Sequence, residues 1–495
     1  MRRPDAAATS PRPARGRGAW TGTSRRLGRL LGHLGLALAI AATTLPALAE
    51  AGHAGTATSV VGVDQADLDA AHWIAHLPQP DRLILDRAGI AAQNARMRAL
   101  DPSIHDIAAL PDPLPRALVE ERIRALSAPP SRALYDASGT PLPKATLDRL
   151  QRALALQAIP ATRPLRYGLV VQRAALRAFP TSLRVFSTPG DTDIDRFQES
   201  ALFPGDAVGV LHASADGKWL FVASERYAAW IEADKVATGN RDAVLGYAGR
   251  TPYLVVTGAT ARTTYTPDEP RVSALQLDMG VRLPLNTSAP DDKPVNGQHP
   301  YASHVVDLPV RRADGGLEFV PALVPRSADV STDYLPLTPA NLLRQSFKFL
   351  GERYGWGHSY DARDCSGFVS EIYRSFGLLV PRNTRDQAIS PALQRTAFDA
   401  ASTAASRKAA VDALQVGDLV YIPGHVMMAI GHQDGMAWMI HDTSGGSWRG
   451  ADGRRVRAGL NGVSVTPLEP MLFNDTETYV DRMTSIQRVP APAGH

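Results

Sequence analysis

The sequence predicts a multidomain α+β protein: a helical N-terminal segment, two small β-barrels and a C-terminal α+β domain. Three observations predict it. The chain has 495 residues, more than one hydrophobic core can serve at roughly 100–200 residues per domain. Hydrophobic content of 44% and charged content of 21% are ordinary globular values, which disfavours a disordered, collagenous or coiled-coil chain. The texture also changes twice, from helical apolar spacing to short β-branched runs and back to helix.

Residues 1–49 read as a signal peptide. Eight Arg precede the apolar run "LGLALAIAA", and Ala47-Leu48-Ala49 supplies small residues before a cut. The run is shorter than the ~20 apolar residues a membrane span needs, so no membrane anchor is expected after cleavage. "SRRLGRLL" at Ser24–Leu31 loosely resembles a twin-arginine signal, leaving the Sec and Tat routes both open. The formal charge of +4 is mostly leader: taking its eight Arg and one acid from 53 basic and 49 acidic residues leaves 45 and 48, a net of about −3. A basic nucleic-acid-binding surface is therefore not expected. The destination is the periplasm, or the cell wall and medium outside.

Residues 50–160 carry helical apolar spacing broken by many Pro, and read as a helical cap or wrapping segment. Residues 161–240 form the first barrel, with Asp216-Gly217 as a two-residue hairpin signal between alternating runs. Residues 241–335 form the second, with its own turn at Asp314-Gly315-Gly316. A helix starts at Thr338-Pro339, a cap followed by an N1 proline, and opens the last domain, residues 336–490. The Ala-rich tract from Ala397 to Ala413 is an exposed helix or loop.

Cys365 is the single cysteine. An internal disulfide is excluded, and the thiol is either inert or reactive. Phe368, Val369, Ile372 and Phe376 follow at helical spacing, Asp364 is a good N-cap and Gly377 a good stop. Cys365 thus falls at N1, where free backbone N–H groups and the helix dipole favour thiolate. The competing reading is a buried cysteine acting as a small hydrophobe.

A nucleophilic thiol needs a base, and "VGDLVYIPGHVMMAIGHQDGMAWMIHD" offers three histidines. If Gln433-Asp434-Gly435 make a three-residue hairpin loop, His432 opposes Met436 and His441 opposes Met427. His425 and His441 then point the same way as diagonal neighbours, one fit to be a base and the other to hold its tautomer. His432 falls on the opposite face, at the surface. A zinc site from His358, Cys365, His425 and His441 is the rival chemistry, but no ligand pair has the short local spacing such sites use. Neither a metal nor an organic cofactor is expected.

"RYGWGHSYDARDCSGF", "VGDLVYIPGHVMMAIG" and "MIHD" resemble, in order, the blocks of the NlpC-type cell-wall peptidases, a papain-like group. The match spans about residues 338–490. It implies Cys365 as nucleophile, His425 as base, His441 as third member of the triad, and the Tyr354 hydroxyl near the oxyanion. His358 departs from the family, which usually has a second Gly there. Upstream, "RFQESALFPGDAVGVLHASADGKWLFVASERYAAWI" resembles bacterial SH3-like modules, and "WIAHLPQPDRLILDRAGIAAQN" resembles the helical segment of one subgroup. That subgroup is similar to γ-D-glutamyl-L-diamino-acid endopeptidases acting on peptides with a free N-terminal L-Ala. The resemblance implies that Asp364 and Tyr227 read the amine and that Ser366 lines the same subsite. Barrel packing is the alternative for Tyr227 and the better reading for Trp219.

The expected substrate is thus a peptidoglycan stem peptide or muropeptide, cut between γ-D-Glu and diaminopimelate or Lys through an acyl-enzyme. Asp364 beside a thiolate would repel it until the substrate ammonium arrives as counter-ion. The alternatives are a non-catalytic cell-wall-binding protein and a papain-like amidase or acyltransferase.

Overall fold

Apolar residues of the N-terminal segment pack in two directions. The computed structural model describes residues 58–290 and 292–490; the signal peptide expected over residues 1–49 lies outside them. Helix Ala70–Ala75 buries Trp73 against Trp438 of the C-terminal domain, ring centroids 5.4 Å apart. Helix Arg87–Leu100, capped by Asp86, buries Ile90 and Met97 on the same domain's side. Helices Arg116–Leu126 and Lys144–Ala153 instead bury Val119, Ile123 and Leu150 with Phe221 and Trp230 of the first β region. The segment is a strap across two bodies. Its helices gain stability from those apolar stripes rather than from length, since they are mostly too short to persist alone.

The first β region is a seven-stranded antiparallel sheet. Along the sheet the strands run Gln198–Leu202, Ala174–Arg177, Ala228–Glu232, Trp219–Ala223, Ala207–Ala213, Arg166–Val170 and Val236–Gly239. One face packs Val170, Leu176, Val208, Val222 and Ile231 on itself. The other lies under the strap helices. Burial on both faces explains why Trp219–Ala223 is apolar at every position rather than alternating. The expected turn at Asp216-Gly217 is present but longer than two residues. Ser214 N–H bonds the Trp219 carbonyl, and the Ser214 hydroxyl bridges Asp216 and the Trp219 N–H, which closes a four-residue loop.

The second β region has three small sheets around one core. Hairpin Ser303–Arg311/Leu317–Pro325 turns at Asp314-Gly315-Gly316, with Gly315 at φ +87°. A two-stranded piece, Thr260–Arg262 with Gln276–Asp278, and a three-stranded one centred on Tyr253–Val256 complete it. Leu254, Leu277, Leu283, Val306 and Val324 meet in its interior.

In the C-terminal domain a six-stranded antiparallel sheet carries helix Cys365–Arg374 on one face. Phe368, Val369 and Ile372 pack there against Val426, Met428 and Ile440. The opposite face buries Met427, Met439, Trp448 and Leu468. Helix Pro339–Phe347 starts as expected, Thr338 accepting from the Asn341 N–H. The Ala-rich tract Ala397–Ala413 follows an exposed strand, Gln394–Ala397, and forms helix Ala404–Asp412, held by buried Arg407 and Val411. Among the described residues no helix is long and apolar enough to cross a membrane.

Candidate active site

Cys365 opens its helix. The Asp364 carboxylate accepts from the Gly367 N–H at 2.7 Å, and the last turn closes at Gly377, φ +80°. Cys365 is 5% exposed. Its sulfur lies 3.5 Å from the Thr384 hydroxyl and near the backbone N–H of Val426, the residue after His425. The helix start does not ionise it. Burial first, and the Asp364 charge second, push the thiol up to about 12, because a dehydrated sulfur beside a carboxylate holds its proton. This corrects the expectation that its position alone yields a thiolate.

His425 and His441 come together as the pattern required, by a different route. The hairpin turn has two residues, Asp434 and Gly435, at φ +54° and +76°, so Gln433 pairs with Met436 and His432 with Ala437. A bulge between Ala429 and Gly431 then takes up one residue and restores the Met428–Ile440 register. Met427 therefore does stand opposite His441. The His425 Nε2 lies 2.7 Å from the His441 Nδ1, and the His441 Nε2 lies 3.1 Å from the Thr466 hydroxyl. Burial lowers the pKa of His425 to about 4 and that of His441 well below its ordinary value. His432 is exposed, bonding the Val411 carbonyl at 3.1 Å.

Tyr354 is buried near Cys365, Asp364 and Asp442, its strand fixed by a bridge to Arg363. Asp442 is fully buried, and neither carboxylate oxygen has a hydrogen-bond partner. Burial, then Asp364 and Glu352, raise its pKa to about 9. It is a neutral acid at physiological pH.

Asp364 is engaged on all sides. It accepts from the Gly357 and Gly367 N–H groups, the Ser366 hydroxyl, and both terminal nitrogens of Arg382 at 3.1 and 2.8 Å. Burial would raise its pKa, but Arg382 outweighs this and holds it down at about 2. The counter-ion expected from the substrate is thus already supplied by the chain. Ser366 is turned into this cluster, accepting from Arg382 at 2.9 Å. Tyr227 donates to Glu199 at 2.5 Å. Glu199 sits between Gln198, whose amide donates to the Gly357 carbonyl at 2.7 Å, and Ser200, which accepts from Arg382 at 2.7 Å. Trp219 is buried in barrel packing.

Arg382 and Glu199 carry no local signal in the sequence, because their partners lie far away along the chain. His358 is not beside the sulfur: it is held between Arg382 and Glu371, so the four-ligand cluster does not form. Among the described residues no three His, Cys, Asp or Glu side chains converge as a metal site.

Residues 351–452 match the NlpC/P60 family, and residues 184–232 match the SH3 domain of SH3b1 type. Among solved structures, an NlpC/P60 endopeptidase from Photobacterium damselae subsp. piscicida is similar at TM-score 0.67 and 20% identity, over 85% of this chain and 96% of that one. An NlpC/P60 family protein from Bacillus cereus ATCC 10987 matches at TM-score 0.44 and 22% identity, over 66% of this chain and all of the other. No curated protein is matched.

Proposed function

Because this chain carries a C-terminal NlpC/P60 domain behind an SH3 domain of SH3b1 type, we propose that it is a peptidoglycan cysteine endopeptidase. It cuts the γ-D-Glu–diaminopimelate (or Lys) amide of stem peptides with a free N-terminal L-Ala. The observation that carries this reading is the 2.7 Å His425–His441 bond, borne by a strand whose Val426 packs in the same core cluster as the buried Cys365, the chain's one cysteine.

The resting pair is neutral, so the thiol is activated as it reacts. His425 takes the Cys365 proton on Nδ1 while its Nε2–H donates to the His441 Nδ1, and His441 Nε2–H donates to Thr466. One tautomer satisfies both observed contacts and leaves Nδ1 free for the proton, and the developing imidazolium is stabilised by His441. Sulfur attacks the γ-carbonyl carbon. Backbone N–H groups at the helix start and the Tyr354 hydroxyl meet the oxyanion, and burial of Tyr354 keeps that phenol protonated. Collapse breaks the C–N bond, His425 returns its proton to the departing amine, and water then releases the thioester. Since His425 stays neutral down to about pH 4, the base is available in mildly acidic surroundings.

Saturation of Asp364 moves amine recognition elsewhere. Glu199 and Tyr227 are the acid and phenol that the barrel brings to the Arg382 cluster, and Glu199 supplies the ammonium's counter-ion. Docking of strand Gln198–Leu202 on the active-site loop narrows the approach and favours released peptides over cross-linked wall. The elevated thiol pKa is what a non-catalytic wall-binding protein would also show. The paired histidines favour catalysis, since binding has no use for them.

Incubating L-Ala-γ-D-Glu-diaminopimelate with wild type and Cys365→Ala, with products followed by mass spectrometry, tests this. The expected outcome is L-Ala-D-Glu and free diaminopimelate from wild type alone. Equal cleavage by both, or none by either across roughly pH 5–9, contradicts it.

A further inference from the structure

His358 stands where the resembled family has glycine, and it is bonded at both ring nitrogens. Its backbone keeps the glycine-like conformation, φ +66°, within a loop whose neighbours Gly357, Tyr360 and Asp361 also have positive φ. The side chain is 2% exposed. It fills the space a side chain at residue 367 would need: a Cβ on Gly367 would lie 2.6 Å from the His358 Cε1. Nδ1 is 2.8 Å from the Arg382 Nη2, and Nε2 is 2.9 Å from the Glu371 Oε1. Arginine has no acceptor, so Nδ1 accepts and Nε2–H donates. Burial, then Arg382, keep the ring neutral in this tautomer.

Arg382 spends every donor in the same place. Nε donates to Ser200, Nη1 to Asp364 and Ser366, and Nη2 to Asp364 and His358. Besides Ser366, which accepts directly at the start of helix Cys365–Arg374, His358 ties this guanidinium to the helix's middle through Glu371. Glu371 is held in turn by Arg363, and Arg173 of the barrel bonds the His358 carbonyl at 3.1 Å.

We propose that His358 is a positioning residue for Cys365, acting through Arg382: its Nδ1 keeps the guanidinium on Asp364, so the carboxylate next to the nucleophile stays neutralised. The inference rests on Cys365 being the nucleophile of the proposed reaction. If Arg382 slips from Asp364, the uncompensated carboxylate makes the sulfur harder to ionise. The charged and titratable groups that face His358 are Arg382, Asp364, Arg363, Arg173 and Glu371. Those around Cys365 are Asp364, Asp442, Tyr354, Arg382 and Tyr421, with His425 one residue from its Val426 contact.

Two substitutions separate the ring's two bonds. His358→Asn puts an amide oxygen near the Nδ1 position and keeps the acceptor for Arg382 while losing Glu371. His358→Gln puts its amide near Nε2 and keeps Glu371 while losing Arg382. The readout is the rate of Cys365 carbamidomethylation by iodoacetamide over roughly pH 5–10, beside thermal unfolding. His358→Asn is expected to follow the wild-type profile. The wild-type inflection lies at about 12, above this range, so His358→Gln and His358→Gly should alkylate ~3-fold more slowly than wild type at every pH within it, the effect of an inflection raised by about half a unit. Equal profiles for Asn and Gln, whether shifted or not, overturn the proposal, because a packing role would not tell them apart. Should the Asn or Gln variant fail to fold, His358→Gly decides, since glycine suits the backbone there: a wild-type alkylation rate overturns the proposal and a ~3-fold slower one supports it. Alkylation needs no peptide substrate. A wild type that cleaves nothing would sink the proposed function and leave this readout standing.

Discussion

Asp442 holds a proton at neutral pH that an unfolded chain would release. Its folded pKa of about 9 lies far above the ordinary 3.8, so the folded state binds more protons between those values. The contribution to stability is fully present below pH ~4 and is lost as pH rises towards 9. Asp442→Asn removes the titration. Relative to wild type it should gain ~2 kcal/mol of stability near pH 5, rising to ~5 kcal/mol near pH 8, read from urea unfolding at each pH, and a gain that does not grow with pH contradicts the assignment. Single-residue chemistry was partly legible in the sequence. Asp364 as N-cap, Cys365 at N1 and exposed His432 follow from local spacing. The state of the sulfur did not, because it depends on burial and on Arg382, which lies 18 positions from Asp364. Glu199 was invisible for the same reason: "FQESALF" looks like any barrel strand until Tyr227 lies against it.

At the level of elements, helix Cys365–Arg374 must start without a side chain at its third position. Gly→Ala inside a helix usually stabilises by ~1 kcal/mol. At Gly367 the sign reverses, since the new Cβ would sit 2.6 Å from the His358 ring and 3.1 Å from the Asp364 Oδ1. Gly367→Ala should lower the melting temperature, checked by calorimetry; an unchanged or raised value would mean the loop yields freely. The hairpin bearing the histidines teaches a similar lesson about legibility. Strand parity alone places His425 and His441 on one face, and it survives an error in the turn because the bulge after Ala429 compensates for the shorter loop. Bulges leave little trace in a single sequence, and the Gly431 that marks this one, packed under Trp73, reads as just another glycine.

Across the whole molecule, the loop before Cys365 is clamped from two other regions. Arg173 and Gln198 of the first β region bond the His358, Ala362 and Gly357 carbonyls. Fully buried Arg363 joins Glu371 and Glu352 to Asp278 of the second β region. Removing one partner of such a buried cluster is costly, because it strands the remaining charges. The two β regions therefore act as parts of the NlpC/P60 domain's wall as well as regions that precede it. The order of regions was legible from changes in texture along the chain. Their docking was not, since it runs through polar contacts more than 80 residues apart in sequence. The whole chain also offers the most direct test, because its single cysteine makes modification unambiguous. Iodoacetamide is added in graded amounts, intact mass gives the fraction of Cys365 modified, and cleavage of L-Ala-γ-D-Glu-diaminopimelate is measured on the same samples. Activity should fall in proportion to the modified fraction and reach zero at full modification; a fully carbamidomethylated protein that still cleaves the peptide would contradict the account.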